Sequence, residues 1–254
     1  MIARAVLFDV NHTLVGVSDE ASTQSAAVDV LFGQVARLAD SPMSRAAFRA
    51  SYDDAWSLGK RRSFEEYAET RYEDIVSSVL THWGVELSDA ELESVLQTYM
   101  EPLYDAAYAI PGVPELLQGL RPLVSVGAIT NYKYATGMRG LLARVGLTDG
   151  LNAISISSEV GWKKPSPRIY DDVLTKLGVS AGECIAVGNE LEKDLWTAGE
   201  LGMRTVLFHP EEHSEHDQEF AAILRDRLAS KEIRCDFVAG TVDQLSAILM
   251  DNLV

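Results

Sequence analysis

The chain has 254 residues, of which 47% are hydrophobic and 24% charged, and its formal net charge is −16. These values are typical of a globular protein with one large domain or a core with an insertion. The acidic charge disfavours a nucleic-acid partner, and no apolar run approaches the length of a membrane span. Two distant cysteines match neither a zinc site nor a disulfide framework, and no signal-type stretch opens the chain. We therefore expect a cytoplasmic protein.

The first predicted element is a buried strand that ends in a carboxylate. Ala5 to Phe8 is an apolar run, Asp9 follows it, and Asn11 and His12 stand in a short polar turn. A parallel strand delivers such an acid to the carboxyl edge of a sheet, where open α/β folds keep their active sites. The alternative is that Asp9 only caps a following helix.

Residues 18–108 show helical rather than strand patterns. Apolar residues three and four apart run from Ala21 to Ala39, and Ser63 and Ser88 are each followed by Glu three residues later, as in capping boxes that begin helices. A further apolar face is predicted from Tyr67, Ile75, Val79 and Leu80. Because no strand pattern interrupts this block, it predicts a four-helix insertion.

After residue 110 strands and helices alternate. Strands are predicted at 123–129, 153–157, 184–187, 205–208 and 236–239, with helices at 115–120, 137–145, 167–177 and between 190 and 201. This alternation predicts an α/β fold with a doubly wound, Rossmann-like parallel sheet. The core is expected to comprise residues 1–16 and 109–254 and the helical cap residues 17–108. Residues 211–231 are polar and are predicted to form a surface loop and helix.

Polar groups follow four of the predicted strands. They are, in chain order, Asp9, Thr130, Lys164, and Asn189 with Asp194. A carboxylate, a hydroxyl, an ammonium and an acidic loop in that order resemble the haloacid dehalogenase-like (HAD) hydrolase superfamily. The most similar segment is residues 158–170, SEVGWKKPSPRIY, and the resemblance extends over essentially the full chain.

The resemblance implies a role for each of these groups in hydrolysis of a small-molecule phosphate ester. Asp9 is the expected nucleophile and a Mg²⁺ ligand, because a carboxylate can accept a phosphoryl group as an acyl phosphate. Thr130 is the expected phosphate contact, and Lys164 the counter-charge to the transferring group. Asp194 is the expected carboxylate on the metal side, and the main-chain carbonyl of Asn11 is expected to complete the site.

Three positions depart from the pattern of the family's phosphatases. Asn11 stands where they carry an Asp that acts as general acid and base. Asn189 replaces a metal-binding Asp, although its amide oxygen can still bind Mg²⁺. His12 replaces a Gly, so it is either a substrate contact that assists proton transfer or a partly exposed turn residue.

These departures keep two alternatives open. The 2-haloacid dehalogenases of the superfamily work without a metal, and this chain resembles them in Asn131, Tyr170 and Asn189, of which Asn131 and Tyr170 are expected to contact substrate. The other alternative is a HAD scaffold with reduced catalysis that binds a ligand or partner. No pattern indicates an oligomeric state.

Two further polar clusters have two possible interpretations each, and several aromatic residues have a predicted position. The basic cluster Lys60–Arg62 either meets an anionic substrate or forms a solvated loop. His209, His213 and His216 either bind a metal or lie in a surface loop. Cap-core packing is predicted for Trp56, Trp83 and Tyr104, and pocket-lining positions for Tyr132 and Trp162.

Overall fold

The computed structural model describes residues 3–64, 67–209 and 235–253, without the side chains of residues 60–64. Its strands are β1 (Ala5–Phe8), β2 (Val15–Val17), β3 (Ala107–Ala109), β4 (Ser125–Thr130), β5 (Ala153–Ile156), β6 (Cys184–Gly188), β7 (Arg204–Phe208) and β8 (Phe237–Ala239). Six of them form one parallel sheet in the order β5-β4-β1-β6-β7-β8. The predicted parallel sheet is therefore confirmed.

The middle of the sheet is β1, which pairs with β4 on one side and β6 on the other. Phe8 is the register partner of both Ala128 and Val187. The chain builds the sheet outwards from β1 in both directions, so a topological switch point lies beside it. Ligands of open α/β folds bind outside the carboxyl ends of the strands at such a point, and Asp9 stands there.

The helices fall into a cap group and a core group. They are α1 (Glu20–Leu38), α2 (Arg45–Phe64), α3 (Tyr72–His82), α4 (Asp89–Ala106), α5 (Val113–Leu120), α6 (Ala135–Arg144), α7 (Ser157–Val160), α8 (Pro167–Leu177), α9 (Trp196–Glu200) and α10 (Val242–Leu253). The first four, which come between β2 and β3, pack together around an apolar core of their own. The predicted four-helix insertion is confirmed, whereas the domain boundaries stay a prediction.

Alternation along β1 decides which helices its side chains meet. Val6 and Phe8 contribute to the apolar cluster beneath α5, α6 and α10, whereas Ala5 and Leu7 contribute to the cluster beneath α8 and α9. Helices therefore cover both faces, as the doubly wound fold requires. With a side-chain period of two, Asp9 continues the face of Ala5 and Leu7.

Local sequence signals explain several helix ends. Ser88 and Glu91 form the predicted capping box at the start of α4. Pro114 lies in the first turn of α5, and Gly178 ends α8 with a left-handed φ of 65°. A Cβ makes that conformation costly, and Gly has none.

The structure corrects three local predictions. Ser63 does not begin a helix, because α2 continues through Phe64; a Ser-x-x-Glu spacing carries no information on whether the preceding helix has ended. Tyr67 precedes α3 and is 48% exposed, so it does not share the buried face of that helix. The antiparallel pair β2–β3 was not predicted, since three-residue strands are too short to show a period. The helix α10 was also not predicted.

No helix within the described ranges combines the length and apolar character needed to cross a bilayer.

Gly127 on β4 has no room for a side chain. A Cβ there would lie 2.8 Å from Cδ2 of Leu7 and 2.9 Å from Cδ1 of Leu177. We expect Gly127→Ala to lower the free energy of unfolding by about 1–3 kcal/mol, because the overpacked sheet must shift. Urea denaturation measures this change. The control is Gly33→Ala in α1, where a Cβ meets nothing within 4 Å and helix propensity predicts a gain of up to about 1 kcal/mol. A Gly127→Ala protein as stable as its parent contradicts the packing described for β4.

Candidate active site

Asp9 lies at the carboxyl end of β1, in the interior of the protein. The residue is 8% exposed, and its main-chain N–H donates to the carbonyl oxygen of Val187 at 2.8 Å. This bond continues the pairing of β1 with β6 by one residue. The sheet itself thereby fixes the point at which the carboxylate leaves it.

The ammonium group of Lys164 joins the polar strand ends. It donates to Oδ1 of Asp9, to Oδ1 of Asp194 at 2.7 Å and to the carbonyl oxygen of Ile129 at 3.2 Å. These bonds use all three of its N–H donors. Since the residue is only 4% exposed, an unpaired charge there would be costly, and the two carboxylates provide the compensation.

Asn131 fixes the main chain of Lys164. Its Oδ1 accepts from the main-chain N–H of Lys164 at 2.7 Å, and its Nδ2 donates to the carbonyl oxygen of the same residue at 3.0 Å. The amide that we expected to contact substrate therefore positions the lysine. No spacing in the sequence signals this pairing, because 33 residues separate the two.

Asp194 is held by the loop that follows β6. Its Oδ2 accepts from the main-chain N–H of Glu190 at 2.9 Å. A Cβ on Gly188 would lie 2.5 Å from Cβ of Asp194, so only glycine permits this approach. Tyr170 is 1% exposed, and its hydroxyl donates to the carbonyl oxygens of Lys193 at 3.0 Å and Asp194 at 2.8 Å. Its polar end thus supports a π-helical turn, Leu191–Leu195, instead of facing the cavity described below.

Thr130 and Asn189 complete the strand-end group. The Thr130 hydroxyl is buried and has no hydrogen-bond partner within the described part of the chain. The Thr13 hydroxyl donates to Oδ1 of Asn189 at 3.5 Å, which links the turn after β1 to the loop after β6. An unpaired buried hydroxyl at a strand end is a candidate ligand contact.

A cavity of about 860 Å³ lies between cap and core. Asn11, His12, Asn131 and Glu190 line its floor at the strand ends, so the cavity reaches the loops that hold Asp9 and Lys164. His12 has a left-handed φ of 59°, and its Nε2 lies 3.4 Å from Oε2 of Glu20. That hydrogen bond to Glu20 raises the pKa of His12, against the opposing effect of burial.

Burial and charge act in opposite directions on Asp9 and Lys164. It raises the pKa of Asp9 to about 6; Lys164 opposes this shift and the charge of Asp194 adds to it. Burial alone would lower the pKa of Lys164, but the carboxylates of Asp194 and Asp9 outweigh it and raise that pKa. Lys164 therefore stays protonated at neutral pH.

The described site offers few carboxylates to a metal ion. Within the described residues, no cluster of three or more His, Cys, Asp or Glu side chains is placed to hold a metal ion. Glu190 forms an ion pair with Lys193 at 2.6 Å. The available donors are the carboxylates of Asp9 and Asp194 with the amide of Asn189 and the main chain at Asn11, all oxygen, which suits Mg²⁺.

Glu69 in the cap makes a contact with the core that sequence reasoning missed. Its carboxylate accepts from Nζ of Lys133 at 2.7 Å and from the hydroxyl of Ser157 at 2.7 Å. The side chain is 3% exposed. Its partners lie 64 and 88 residues away in sequence, so no local sequence pattern could reveal this contact between cap and core.

The remaining predicted residues are placed as follows. Trp56 and Trp83 pack on the cap core, Tyr104 packs between the two cores, and Tyr132 lines the cavity. The guanidinium of Arg168 lies 3.7 Å from the ring centroid of Trp162. The Lys60–Arg62 side chains, His213 and His216 lie outside the described parts, as do residues 211–231.

This fold and this arrangement of side chains define a class of hydrolase, and comparison with known proteins assigns the family. The chain belongs to the haloacid dehalogenase-like hydrolases, whose family model matches residues 3–202. A related HAD-hydrolase-like model matches residues 161–245. The resemblance inferred from the strand-end residues is confirmed.

Individual relatives are more distant. Ribulose-1,5-bisphosphate 5-phosphatase of Halopiger xanaduensis is 32% identical over 55% of this chain and 56% of its own length. Phosphoglycolate phosphatase of Rhodospirillum rubrum is 26% identical over 80% of this chain and 78% of its own. The match thus spans about half the length of the first relative. The structure of a 2-haloacid dehalogenase from Pseudomonas syringae has a TM-score of 0.67, 21% identity and 99% coverage of both chains, which shows the shared fold.

The raised pKa of Asp9 leads to a prediction about pH. Without added divalent cations, Asp9 should take up its proton with a midpoint at about pH 6. A protonated carboxyl is a poor nucleophile, so reaction through Asp9 should disappear as pH falls through that value. Because the folded-state pKa lies above the ordinary 3.8, ionisation of Asp9 opposes folding, and its contribution to stability should improve as pH falls from about 6 to about 4.

Infrared difference spectra between the native protein and Asp9→Asn measure this protonation directly. Asp171→Asn, at an exposed position on α8, is the matched control for the exchange of Asp by Asn. A midpoint of about 4, the ordinary value for Asp, contradicts the effect of burial.

Proposed function

We propose that this hydrolase cleaves small-molecule phosphate monoesters with Asp9 as the nucleophile. The observation that carries this proposal is the buried ammonium of Lys164, which holds Asp9 and Asp194 together, next to loop residues that line a cavity large enough for a metabolite. The phosphatase relatives named above support the same class of substrate.

The reaction proceeds in two displacements. A carboxylate oxygen of Asp9 attacks phosphorus, and the bond from phosphorus to the ester oxygen breaks with its electron pair. The departing oxygen takes a proton from water. Water then attacks the aspartyl phosphate, releases inorganic phosphate and restores the carboxylate.

Three neighbours of Asp9 act on charge and position. Lys164 offsets negative charge on the transferring group. Thr130 has an unpartnered hydroxyl that can donate to a phosphoryl oxygen. Asn131 keeps Lys164 in place through its two bonds to that residue's main chain.

The oxygen donors fit Mg²⁺, which often binds through one or two carboxylates and retains several waters. Asp9, Asp194, the amide of Asn189 and the main-chain carbonyl of Asn11 would hold the ion. Bound there, it would supply positive charge to the transferring phosphoryl group.

A second candidate function is dehalogenation of a small haloacid without a metal. The observation that favours it is that amides occupy positions 11 and 189, which leaves Asp9 and Asp194 as the carboxylates bound to Lys164. In that reaction Asp9 attacks carbon, halide leaves with the electron pair, and water hydrolyses the resulting ester. The third alternative, a scaffold with reduced catalysis, requires that neither reaction occurs.

Asp9→Asn tests the nucleophile. We expect turnover to fall at least about a thousandfold, because removal of a nucleophile eliminates the covalent route. The assay covers a panel of phosphate esters with and without Mg²⁺, and chloride release from 2-chloropropionate.

Asp171→Asn, a matched exchange at an exposed site, should keep full activity. Turnover that survives Asp9→Asn contradicts the assignment. Chloride release without phosphate release identifies the dehalogenase, and a native protein without either activity supports the scaffold.

Asn11→Asp tests the missing acid. A carboxylic acid two residues after Asp9 can donate a proton to the leaving oxygen, which is typically worth about a hundred- to ten-thousand-fold. We expect a gain of at least about tenfold in kcat for alkyl phosphates. Asn11→Ala, which removes the amide without adding an acid, should give no gain. A rate for Asn11→Asp equal to that of the native enzyme contradicts the role of this position.

A further inference from the structure

One side of the cavity is formed by aromatic side chains. This aromatic wall comprises Tyr52, Trp56, Tyr72, Tyr99 and Tyr132, all of which line the cavity. The ring centroids of Tyr72 and Tyr99 are 4.6 Å apart with an angle of 31° between the planes, and those of Tyr52 and Trp56 are 6.0 Å apart with an angle of 22°. Cap helices supply four of the five rings.

The wall is rigid and uncharged. The hydroxyls of Tyr52 and Tyr72 are hydrogen-bonded at 3.0 Å. The Tyr132 hydroxyl donates to Sδ of Met100 at 3.7 Å. Burial raises the pKa of both Tyr52 and Tyr72 above the ordinary range, so these hydroxyls stay neutral. Tyr72 stands edge-on to Tyr52 and Trp56, at 67° and 71°, so the rings offer an apolar surface of faces and edges with little entropy left to lose on binding.

The cations that line the cavity already have acidic partners. Nε of Arg49 lies 3.1 Å from Oδ1 of Asp53. Nζ of Lys133 lies 2.7 Å from Oε1 of Glu69 and 5.5 Å from the ring centroid of Trp56.

The acids that line the same cavity are Glu20, Asp53 and Glu190. Each of these acids has a cationic partner of its own, His12, Arg49 or Lys193. Among the lining residues whose side chains are described, no Arg or Lys therefore lacks an acidic partner and is left to bind a second anionic group.

We infer that the cavity takes a phosphate monoester whose organic part is a neutral aromatic group, seated on the wall of Tyr52, Trp56, Tyr72, Tyr99 and Tyr132. This inference rests on the proposed function for its phosphate end. A second phosphate or a carboxylate on the substrate meets acids and paired cations, and a short alkyl chain leaves most of the roughly 860 Å³ cavity unfilled.

Three esters of aliphatic alcohols test the inference. They are 2-phenylethyl phosphate, ethyl phosphate and phosphoglycolate, which differ in the group presented to the cavity. We expect kcat/KM for 2-phenylethyl phosphate to exceed that for ethyl phosphate by about tenfold or more, with phosphoglycolate the poorest. Equal values for the phenyl and ethyl esters, or a preference for phosphoglycolate, overturn the inference and leave the proposed reaction intact.

Variants locate the preference on the wall. Trp56→Leu and Tyr99→Leu should each reduce the ratio of phenyl to ethyl ester several-fold. Trp196→Leu is the matched control, because Trp196 is 62% exposed and does not line the cavity. Thermal unfolding shows which variants fold. A ratio that stays constant in folded Trp56→Leu and Tyr99→Leu proteins overturns the inference.

A binding measurement separates this inference from the proposed function. Calorimetry can compare the binding of 2-phenylethanol with that of ethanol to the Asp9→Asn protein, and this measurement needs no turnover. If no ester is hydrolysed, the proposed function fails. The aromatic site is still supported if the Asp9→Asn protein binds 2-phenylethanol selectively and the double variant Asp9→Asn, Trp56→Leu does not. Absence of binding by 2-phenylethanol rejects it.

Discussion

The buried ammonium of Lys164 is the interaction on which the site depends. A lysine that is 4% exposed remains charged only because two carboxylates and a carbonyl oxygen surround it. Such a group is expensive to leave unpaired. The constraint therefore extends to the residues that bring the partners together, namely the amide of Asn131 and the side-chain-free surface of Gly188.

Hydrogen bonds also connect the cap to the core loops around Lys164. Residues 67–72, at and before the start of α3, bond to the two core loops that carry Asn131 and Lys164. The main-chain N–H of Tyr72 donates to the carbonyl oxygen of Lys133 at 2.8 Å, and that of Lys163 to the carbonyl oxygen of Tyr67 at 2.9 Å. Glu69 adds its buried pair with Lys133. The wall that we propose for substrate recognition is thus anchored on the loops that hold Asn131 and Lys164.

Asp9, Lys164 and Asp194 could be grouped from the sequence because the carboxyl ends of parallel strands converge and because the order of these polar residues resembles that of the HAD family. Their supporting contacts could not be predicted. Asn131 lies in a loop and Tyr170 in α8, and the partner of each is a main-chain group more than 20 residues away in the sequence. The contact of Glu69 with the core could not be predicted either, because its partners are distant in the chain.

The aromatic wall and the amide at position 11 favour the same substrates for separate reasons. In the proposed reaction no acid stands beside Asp9 and His12 is engaged with Glu20, so the departing oxygen would leave without a proton from the enzyme. The resulting increase in the activation free energy is smallest when that oxygen is a weak base. A phenolic oxygen, with a pKa near 10, meets that condition better than an alkoxide and brings the ring that the wall accepts. Among aromatic esters, those in which the ring is bonded directly to the phosphate oxygen are therefore the ones that this site should turn over fastest.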